Sequence, residues 1–315
     1  MAVTSFKIDF MGKRKIAAAI SSVLVILSAI SLLVNQVNWG LDFTGGTLVE
    51  VTYDVPVNPV DVRAVLDAGG FQGHVVQYFG SESDVLVRIP PQKSLDDKAN
   101  AKLGDGILDT LRQAHEGEVT LRRSEFVGPA VGEELTEQGG LGLLFALAVV
   151  MIYVTFRFQL KFSVGAVVAL FHDVMITLGL FSMFAWNFDL TVLAALLALI
   201  GYSLNDTIVV SDRIRENFRK LRKGTSEEII NTSLNQTLAR TLITSMTTLL
   251  VLFALFFLGG ELIHGFAIGL IIGVVVGTYS SIYIAANLLL VLDISREDLA
   301  LPVKEGADDP DLTSP

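Results

Sequence analysis

The 315-residue sequence contains no cysteine, so no disulfide holds any part of the chain together and thiols give no indication of its redox compartment. It has no G-x-x-x-x-G-K-[ST] phosphate loop, no H-E-x-x-H and no G-x-S-x-G. The glycine-rich residues 44–47 lack the lysine and the following helix that a phosphate loop requires. His74 and His115 lack histidine or cysteine partners at metal-ligand spacing. We therefore expect no catalytic residue, no metal site and no cofactor.

Charged residues are scarce. Only 18% of the residues are charged and 51% are apolar, and blocks of roughly twenty residues carry no charge. The net charge of -10 is concentrated between Asp42 and Glu137 and in the tail at Asp308, Asp309 and Asp311. This distribution is typical of a polytopic membrane protein rather than a soluble domain.

Six apolar segments are each long enough to cross a hydrocarbon core of about 30 Å at about 1.5 Å per residue. The first follows Lys13, Arg14 and Lys15, as an apolar signal-peptide segment would. It has no small-residue cleavage pattern and five further segments follow, so we interpret it as a retained anchor. The predicted spans are 16–34, 139–156, 162–184, 190–211, 241–260 and 264–292.

The positions of lysine and arginine predict the orientation, because cationic short loops remain in the cytoplasm. These residues precede the first span, separate the second from the third and are concentrated between the fourth and fifth, whereas the other two short loops have none. Both termini are therefore predicted to be cytoplasmic, and the large loop periplasmic in a bacterial inner membrane. The predicted divisions are an N-terminus at 1–15, a first span at 16–34, a periplasmic domain at 35–138, a helical bundle at 139–292 with a cytoplasmic connection at 212–240, and a cytoplasmic tail at 293–315.

The large loop is long enough for a small independent domain. Asn58-Pro59 is an N-cap followed by proline at the first helical position, and Gly69-Gly70 ends that helix. The turn-like residues 80–83 predict a hairpin. The order β-α-β-β-α-β predicts a ferredoxin-like α+β domain with a binding or mechanical role, beside an all-α, transporter-like bundle of six membrane helices. The predicted elements are a strand at Thr47–Tyr53, a helix from Asn58 to Gly70, strands at His74–Phe79 and Asp84–Ile89, a helix at Leu95–Ala114 and a strand at Val119–Phe126.

The fourth span contains an acidic residue. Only sixteen uncharged residues, from Leu190 to Asn205, precede Asp206, which is short of the roughly twenty that a membrane crossing needs. The helix must therefore take Asp206 into the bilayer, where a charge costs several kcal/mol unless it is protonated, paired or hydrated. We predict an ion or proton site at Asp206, the alternative being an aspartate that hydrogen-bonds a neighbouring helix.

Other polar residues could act with Asp206. Arg240, at the start of the fifth span, is either its partner or an interfacial anchor, and spacing alone does not decide between them. His172 and Asp173, near the middle of the third span, are interpreted either as a proton relay or as a buried pair that locks helices together. Asn205 is placed in the same category of relay or packing residue.

Glycines recur in the sixth span at Gly265, Gly269, Gly273 and Gly277. A spacing of four residues places them on one smooth helix face that another helix can approach closely, so we predict a packing surface without chemistry. The basic residues 211–224 could bind anionic lipid or a partner protein, but a cationic extension of the fourth span is the favoured interpretation.

Four stretches of the sequence are distinctive when taken together: WGLDFTGG at 39–46, FVGP at 126–129, GYSLNDTIVVSDRIREN at 201–217 and RTLITS at 240–245. They resemble the SecD/SecF family of protein-export membrane subunits, which belongs to the resistance-nodulation-division superfamily. Nearly the whole chain takes part in the resemblance, and the third stretch is highly specific.

The resemblance implies a function. A chain of this kind would pair with SecD and work with the SecYEG channel after SecA, using a proton or sodium gradient to pull unfolded preproteins outward. It would make Asp206 and Arg240 the ion-coupling residues, and Asp42, Gly45 and Gly46 a structural hinge leading into the periplasmic domain. YajC, YidC and membrane lipids are further candidate partners, and no nucleic acid is expected. The competing hypotheses are a half-exporter of the same superfamily for lipids or small hydrophobic molecules, and an assembly protein that transports nothing.

Overall fold

The computed structural model describes residues 7–92, 97–295 and 297–299. Six of the described helices are long and apolar enough to cross a membrane, which confirms the predicted number of spans. The α-helices, in chain order, are α1 (Arg14–Val34), α2 (Leu41–Thr44), α3 (Pro59–Ala68), α4 (Asp97–Ala101), α5 (Leu103–Ala114), α6 (Pro129–Arg157), α7 (Leu160–Met183), α8 (Leu190–Lys220), α9 (Ser226–Leu258), α10 (His264–Ser280) and α11 (Ala286–Val291). The strands are β1 (Asn38–Trp39), β2 (Gly46–Tyr53), β3 (Val75–Phe79), β4 (Ser81–Ile89), β5 (Val119–Val127) and β6 (Asn187–Phe188).

The described residues form two compact units. The helical unit contains residues 7–34, 148–183 and the described residues from 195 onward. The sheet unit contains the described residues of 35–147 together with 184–194.

Several membrane helices are longer than the predicted spans. α6 begins ten residues before the predicted start at 139, because Pro129 fits the first turn of a helix, where its missing N–H is not needed. α9 begins at Ser226 rather than 241, because Thr225 and Glu228 form a capping box in which the carboxylate of Glu228 accepts from the Thr225 N–H at 2.9 Å. The predicted connection at 212–240 is consequently helical except for residues 221–225.

In the helical unit, α7 packs against α1 and α10, and α10 packs against α9. Small residues allow the close contact between α7 and α1, since a Cβ added at Gly179 would overlap Ser28. Large apolar side chains such as Phe162, Phe181 and Leu199 are fully buried between the helices.

The last apolar helix is not uniform. After α10, residues Ser281–Ala285 form a π-helical turn, and α11 follows directly. Such turns interrupt the regular α-helical hydrogen bonding and often occur at functional sites. This turn brings Ser281 into the site described below.

The sheet unit contains a four-stranded antiparallel sheet with the strand order β3-β4-β2-β5. α3 and α5 pack against each other; α3 also contacts β3, and α5 contacts β2 and β5. The β-branched residues of β2 alternate with the pleat, so Val49 and Val51 are fully buried and meet Leu66 of α3 and Ile107 of α5 in the core. Helix α3 has the predicted N-cap, in which the Asn58 side chain accepts from the Val60 N–H at 2.9 Å.

Two predicted boundaries in this unit need correction. The turn is shorter than the predicted 80–83, because Phe79 pairs with Ser81 and leaves Gly80, with a φ of 87°, to make the reversal. The helix predicted at Leu95–Ala114 is interrupted at Lys102 between α4 and α5, and its first two residues lie outside the described residues. Two residues after this break, Gly104 is buried on the inner face of α5, where a Cβ would collide with the Ser124 hydroxyl.

Candidate ion-coupling site

Asp206 lies on α8 and is only 8% exposed. One carboxylate oxygen accepts a hydrogen bond from the Thr241 hydroxyl of α9 at 2.6 Å, and the other accepts from the Ser281 hydroxyl of the π-helical turn. Hydrogen bonds to an ionised carboxylate are roughly twice as strong as those between neutral groups. A single buried carboxylate therefore joins three membrane helices.

Arg240 lies beside this site in sequence. Its neighbour Thr241 binds the Asp206 carboxylate, whereas the Arg240 side chain is exposed in the isolated chain. Both Arg240 and Asp206 are described, and no ion pair joins them in this arrangement. Asn205, which precedes Asp206, is also exposed. The structure thus gives the Asp206 carboxylate two hydroxyl ligands, and Arg240 acts on it through space without an ion pair.

A second buried carboxylate lies on α7. Asp173 is fully buried, and one of its oxygens is 2.9 Å from Nδ1 of His172. Its other oxygen accepts from the Ser203 hydroxyl of α8 at 2.6 Å and from the Ser280 hydroxyl of α10 at 2.7 Å. The Thr177 hydroxyl donates to the Asp173 carbonyl at 2.8 Å. Both of the predicted relay or packing residues on α7 therefore belong to one polar network in the core of the helical unit.

A chain of hydroxyl groups lies near both carboxylates. The Tyr202 hydroxyl donates to Ser245 at 3.0 Å, and Ser245 is 2.7 Å from the Thr278 hydroxyl. This chain connects α8, α9 and α10, which supply three of the four hydroxyl ligands of the two carboxylates, and the fourth, Ser281, comes from the π-helical turn. Hydroxyls can both donate and accept, so they can adjust to a change in the charge of a neighbouring carboxylate.

The glycine row of α10 faces a row of small and apolar residues on α8. A Cβ added at Gly269 would lie 3.2 Å from Ala195 Cβ, and one added at Gly273 would lie 2.6 Å from Leu199 Cδ1. At Gly277 the nearest atom would be Ser203 Cβ at 3.3 Å. The row thus allows α10 to approach α8 closely enough for Ser281 to reach Asp206. Gly277 also leaves room for the Asp173 carboxylate of α7, whose Oδ2 would lie 3.5 Å from an added Cβ. Gly265, the first predicted member, lies at the partly buried start of α10.

The predicted hinge residues lie in the sheet unit. The Asp42 carboxylate accepts from the Leu190 N–H at 2.9 Å and so caps the first residue of α8. β1 pairs in parallel with β6 immediately before these two residues, and Trp39 packs edge-on against Phe188. Gly45 and Gly46 have φ values of 66° and 116°, and a Cβ at Gly46 would overlap the Ile89 carbonyl oxygen, so this stretch of backbone requires glycine.

The two histidines of the sheet unit have structural partners. His74 Nδ1 is 2.9 Å from the Phe71 carbonyl oxygen, and His115 Nε2 is 2.8 Å from the Asp54 carboxylate. The hydrogen bond from His115 lowers the pKa of the Asp54 carboxyl below its usual value. Within the described ranges, no group of three or more histidine, cysteine or acidic side chains could hold a metal ion.

Sequence reasoning missed the hydroxyl ligands Thr241, Ser281, Ser203 and Ser280. The sequence did indicate two of them, because Ser280 and Ser281 directly follow the glycine row, at the end of α10 that lies near Asp206. The other two are ordinary residues of helix interiors, and their role depends on which helices meet.

These features define a class: a multi-pass membrane protein in which packed helices enclose two hydroxyl-bound carboxylates, with an α+β unit between the first two membrane helices. Residues 107–295 match the family described as "Protein export membrane protein SecD/SecF, C-terminal", and residues 30–57 match the "SecD/SecF GG Motif". The chain belongs to the SecD/SecF family, which confirms the resemblance predicted from its sequence.

Relatives agree over nearly the full length. The chain is 51% identical over 303 residues to a "Protein translocase subunit SecF" from Vibrio alginolyticus, covering 96% of this chain and 95% of the relative. It is 50% identical over 304 residues to a protein of the same name from Pseudomonas aeruginosa, covering 96% and 97%.

The solved structures extend the likeness to the fold. A crystal structure of SecDF, "a translocon-associated membrane protein", from Thermus thermophilus superposes with a TM-score of 0.83 at 38% identity over 93% of this chain. A SecDF in a "Super-membrane-facing form" superposes with a TM-score of 0.68. This chain spans about 40% of the length of each of these SecDF chains.

Proposed function

We propose that this chain acts as the SecF subunit of the Sec protein translocase, and that with SecD it uses an ion gradient to drive late-stage preprotein translocation through SecYEG after SecA. The names of its relatives support the translocase assignment. The observation that carries the energy-coupling part is the buried Asp206 carboxylate, which is held by hydroxyls from α9 and the π-helical turn.

The chemistry of Asp206 suggests how an ion could change the packing. An ionised carboxylate accepts both hydroxyl protons, whereas a protonated carboxyl also becomes a donor and no longer needs both. The Ser281 hydroxyl has an alternative acceptor, the Thr278 carbonyl oxygen at 3.0 Å, to which it can turn. Protonation would therefore loosen the junction between α8 and the π-helical turn, whereas a bound sodium ion would compete with the hydroxyl protons for the carboxylate oxygens. Arg240, next to Thr241, is the proposed cation that approaches Asp206 in the other state.

The remaining parts of the proposal concern location and partners. We place both termini and the residues from 293 onward in the cytoplasm and the sheet unit in the periplasm, on the inner membrane of a bacterium. The strand order β3-β4-β2-β5 favours a ferredoxin-like periplasmic domain, with Asp42, Gly45 and Gly46 at its connection to the membrane. This domain would hold and release the emerging polypeptide. YajC and YidC are further proposed partners, membrane lipids surround the helices, and neither enzymatic activity nor nucleic-acid binding is part of the proposal.

The test is preprotein translocation into vesicles that contain SecYEG, SecA and this chain with SecD. We expect an imposed gradient to accelerate completion of translocation in the wild type and to have no effect with Asp206→Asn. Asp212→Asn removes the same charge from the same helix outside the hydroxyl network, so it should retain the gradient response. An unchanged gradient response in Asp206→Asn would remove this residue from the mechanism, and exchanging the proton gradient for a sodium gradient identifies the coupling ion.

A further inference from the structure

A second buried titratable group is not used by the coupling at Asp206. The His172 side chain is 6% exposed, and its Nδ1 is 2.9 Å from Asp173 Oδ1. Its other ring nitrogen, Nε2, is buried and has no hydrogen-bond partner among the described residues. Buried polar atoms are normally hydrogen-bonded, so an unpartnered one needs an explanation.

The partner of Nδ1 identifies the form of the ring. The Asp173 carboxylate can only accept, so the proton of a neutral imidazole lies on Nδ1 and Nε2 carries a lone pair. A proton can therefore add to Nε2 without breaking any existing hydrogen bond, and the adjacent carboxylate stabilises the resulting imidazolium. The new Nε2–H would then be a buried donor without an acceptor, which favours a repacked arrangement that supplies one.

The surroundings of His172 contain few other titratable groups. Tyr279 of α10 stacks on the imidazole with ring centroids 6.3 Å apart, and its hydroxyl already donates to the Ala17 carbonyl oxygen at 2.7 Å. Tyr283 follows Tyr279 in the same aromatic stack, at 5.2 Å. From α1 the hydroxyl of Ser21, which does not titrate, reaches Tyr279. Asp173 on α7 and Asp206 on α8 are the carboxylates of this network.

The two carboxylates share their supports. Asp173 binds Ser203, which is three residues before Asp206 on α8, and Ser280, which is next to Ser281, the ligand of Asp206. A movement of α8 against the end of α10 therefore changes the hydrogen bonds of both carboxylates together. An adjustment at one site is transmitted to the other by contact, and the charges also interact through space.

We propose that Nε2 of His172 is a second proton-binding position, coupled to Asp206 through Ser203 and the Ser280-Ser281 pair. The inference deepens the proposed function, since it assigns a second group to the ion pathway. The two can fail separately, because proton binding at His172 is measured without transport.

The experiment uses the full chain in complex with SecD in lipid nanodiscs, with 15N-labelled histidine. The chain has four histidines, and His172→Gln identifies the signal of this one. We expect the wild-type His172 signal to show a neutral ring protonated on Nδ1 at high pH and conversion to imidazolium as the pH falls. This part of the test needs no variant that could fail to fold.

The coupling is tested by Asp206→Asn at the pH where half of the wild-type signal has converted. Removing the negative charge of Asp206 weakens the stabilisation of the imidazolium, both through the shared hydroxyls and through space. We therefore expect the ratio of imidazolium to imidazole to fall severalfold in Asp206→Asn and to change little in Asp212→Asn. Unchanged signals of the other three histidines report that each variant is folded. A His172 ring that stays neutral down to pH 5, or equal ratios in the two variants, would overturn the proposal.

Discussion

Gly273→Ala should separate α8 from α10. The added Cβ would lie 2.6 Å from Leu199 Cδ1 and 3.0 Å from Leu199 Cδ2. Carbon atoms in van der Waals contact are about 3.5–4.0 Å apart, so the two helices or the leucine must move by roughly 1 Å. Leu199 is fully buried and has little room to turn, and overpacking of this kind costs about 1–3 kcal/mol.

The absence of native cysteine provides an assay for this movement. Ala195 Cβ lies 3.2 Å from the position of a Cβ at Gly269, slightly closer than the about 3.5–4.5 Å that separates the two Cβ atoms in disulfides. Ala195→Cys with Gly269→Cys should therefore form a disulfide between α8 and α10 under mild oxidation, with no competing thiol in the chain. The rate of disulfide formation in the full chain reports how often the two helices meet.

We expect Gly273→Ala to slow this reaction severalfold, because it props the helices apart one turn from the introduced pair. Gly201→Ala is the matched control, since Gly201 is an exposed position of α8 at which a Cβ meets nothing within 4 Å. Adding Leu199→Ala to Gly273→Ala removes the colliding side chain and should restore the rate. Equal rates in wild type and Gly273→Ala, or no rescue by Leu199→Ala, would refute the packing argument.

Two further predictions concern the sheet unit. Val62→Ala removes two buried methyl groups from the core, whereas Val60→Ala on the same helix removes exposed ones. Only Val62→Ala should therefore destabilise the unit, by about 2 kcal/mol. Hydrogen exchange of β2 in the full chain measures the difference, and equal protection in the two variants would contradict the prediction. The pKa of Asp84 is lowered by the hydrogen bond from Thr52, and further by Ser81 and Arg122. Because the folded pKa is lowered, this stabilisation is complete above the unfolded value of about 3.9 and is lost as pH falls through the folded value. Asp84→Asn should therefore be less stable than wild type at pH 6, with a difference that shrinks below about pH 4; a difference independent of pH would contradict the assignment.

The number of membrane helices and the position of Asp206 could be predicted from the sequence, because both depend on lengths and composition. Sixteen uncharged residues before Asp206 were enough to place the carboxylate inside the helix bundle, where it is 8% exposed. The early start of α9 could also be predicted from the capping box of Thr225 and Glu228, but the charged residues of that segment favour a cytoplasmic loop instead.

The ligands of Asp206 could not be predicted in the same way. Thr241 is one of many threonines in α9, and it becomes a ligand only because α9 and the π-helical turn converge on α8. Opposite charge favoured Arg240, one residue away, but the isolated chain satisfies the carboxylate with hydroxyls. Which of two adjacent residues faces a neighbour depends on helix rotation, which hydrophobic patterning fixes poorly in α9 because its apolar and polar residues are not separated onto opposite faces.

The π-helical turn holds one residue more than a regular α-helix would need at the end of the last membrane helix. Deleting one residue from Ser281–Ala285 would therefore let the turn become α-helical while the side chains beyond it keep nearly the same direction. Leu289, which is buried, would still face the core. Deleting a residue from the regular helix α10 has no such compensation before Ser281, whose side chain would turn by about 100° relative to the glycine row and away from Asp206. A single deletion in α10 should thus be far more harmful than one within the π-helical turn.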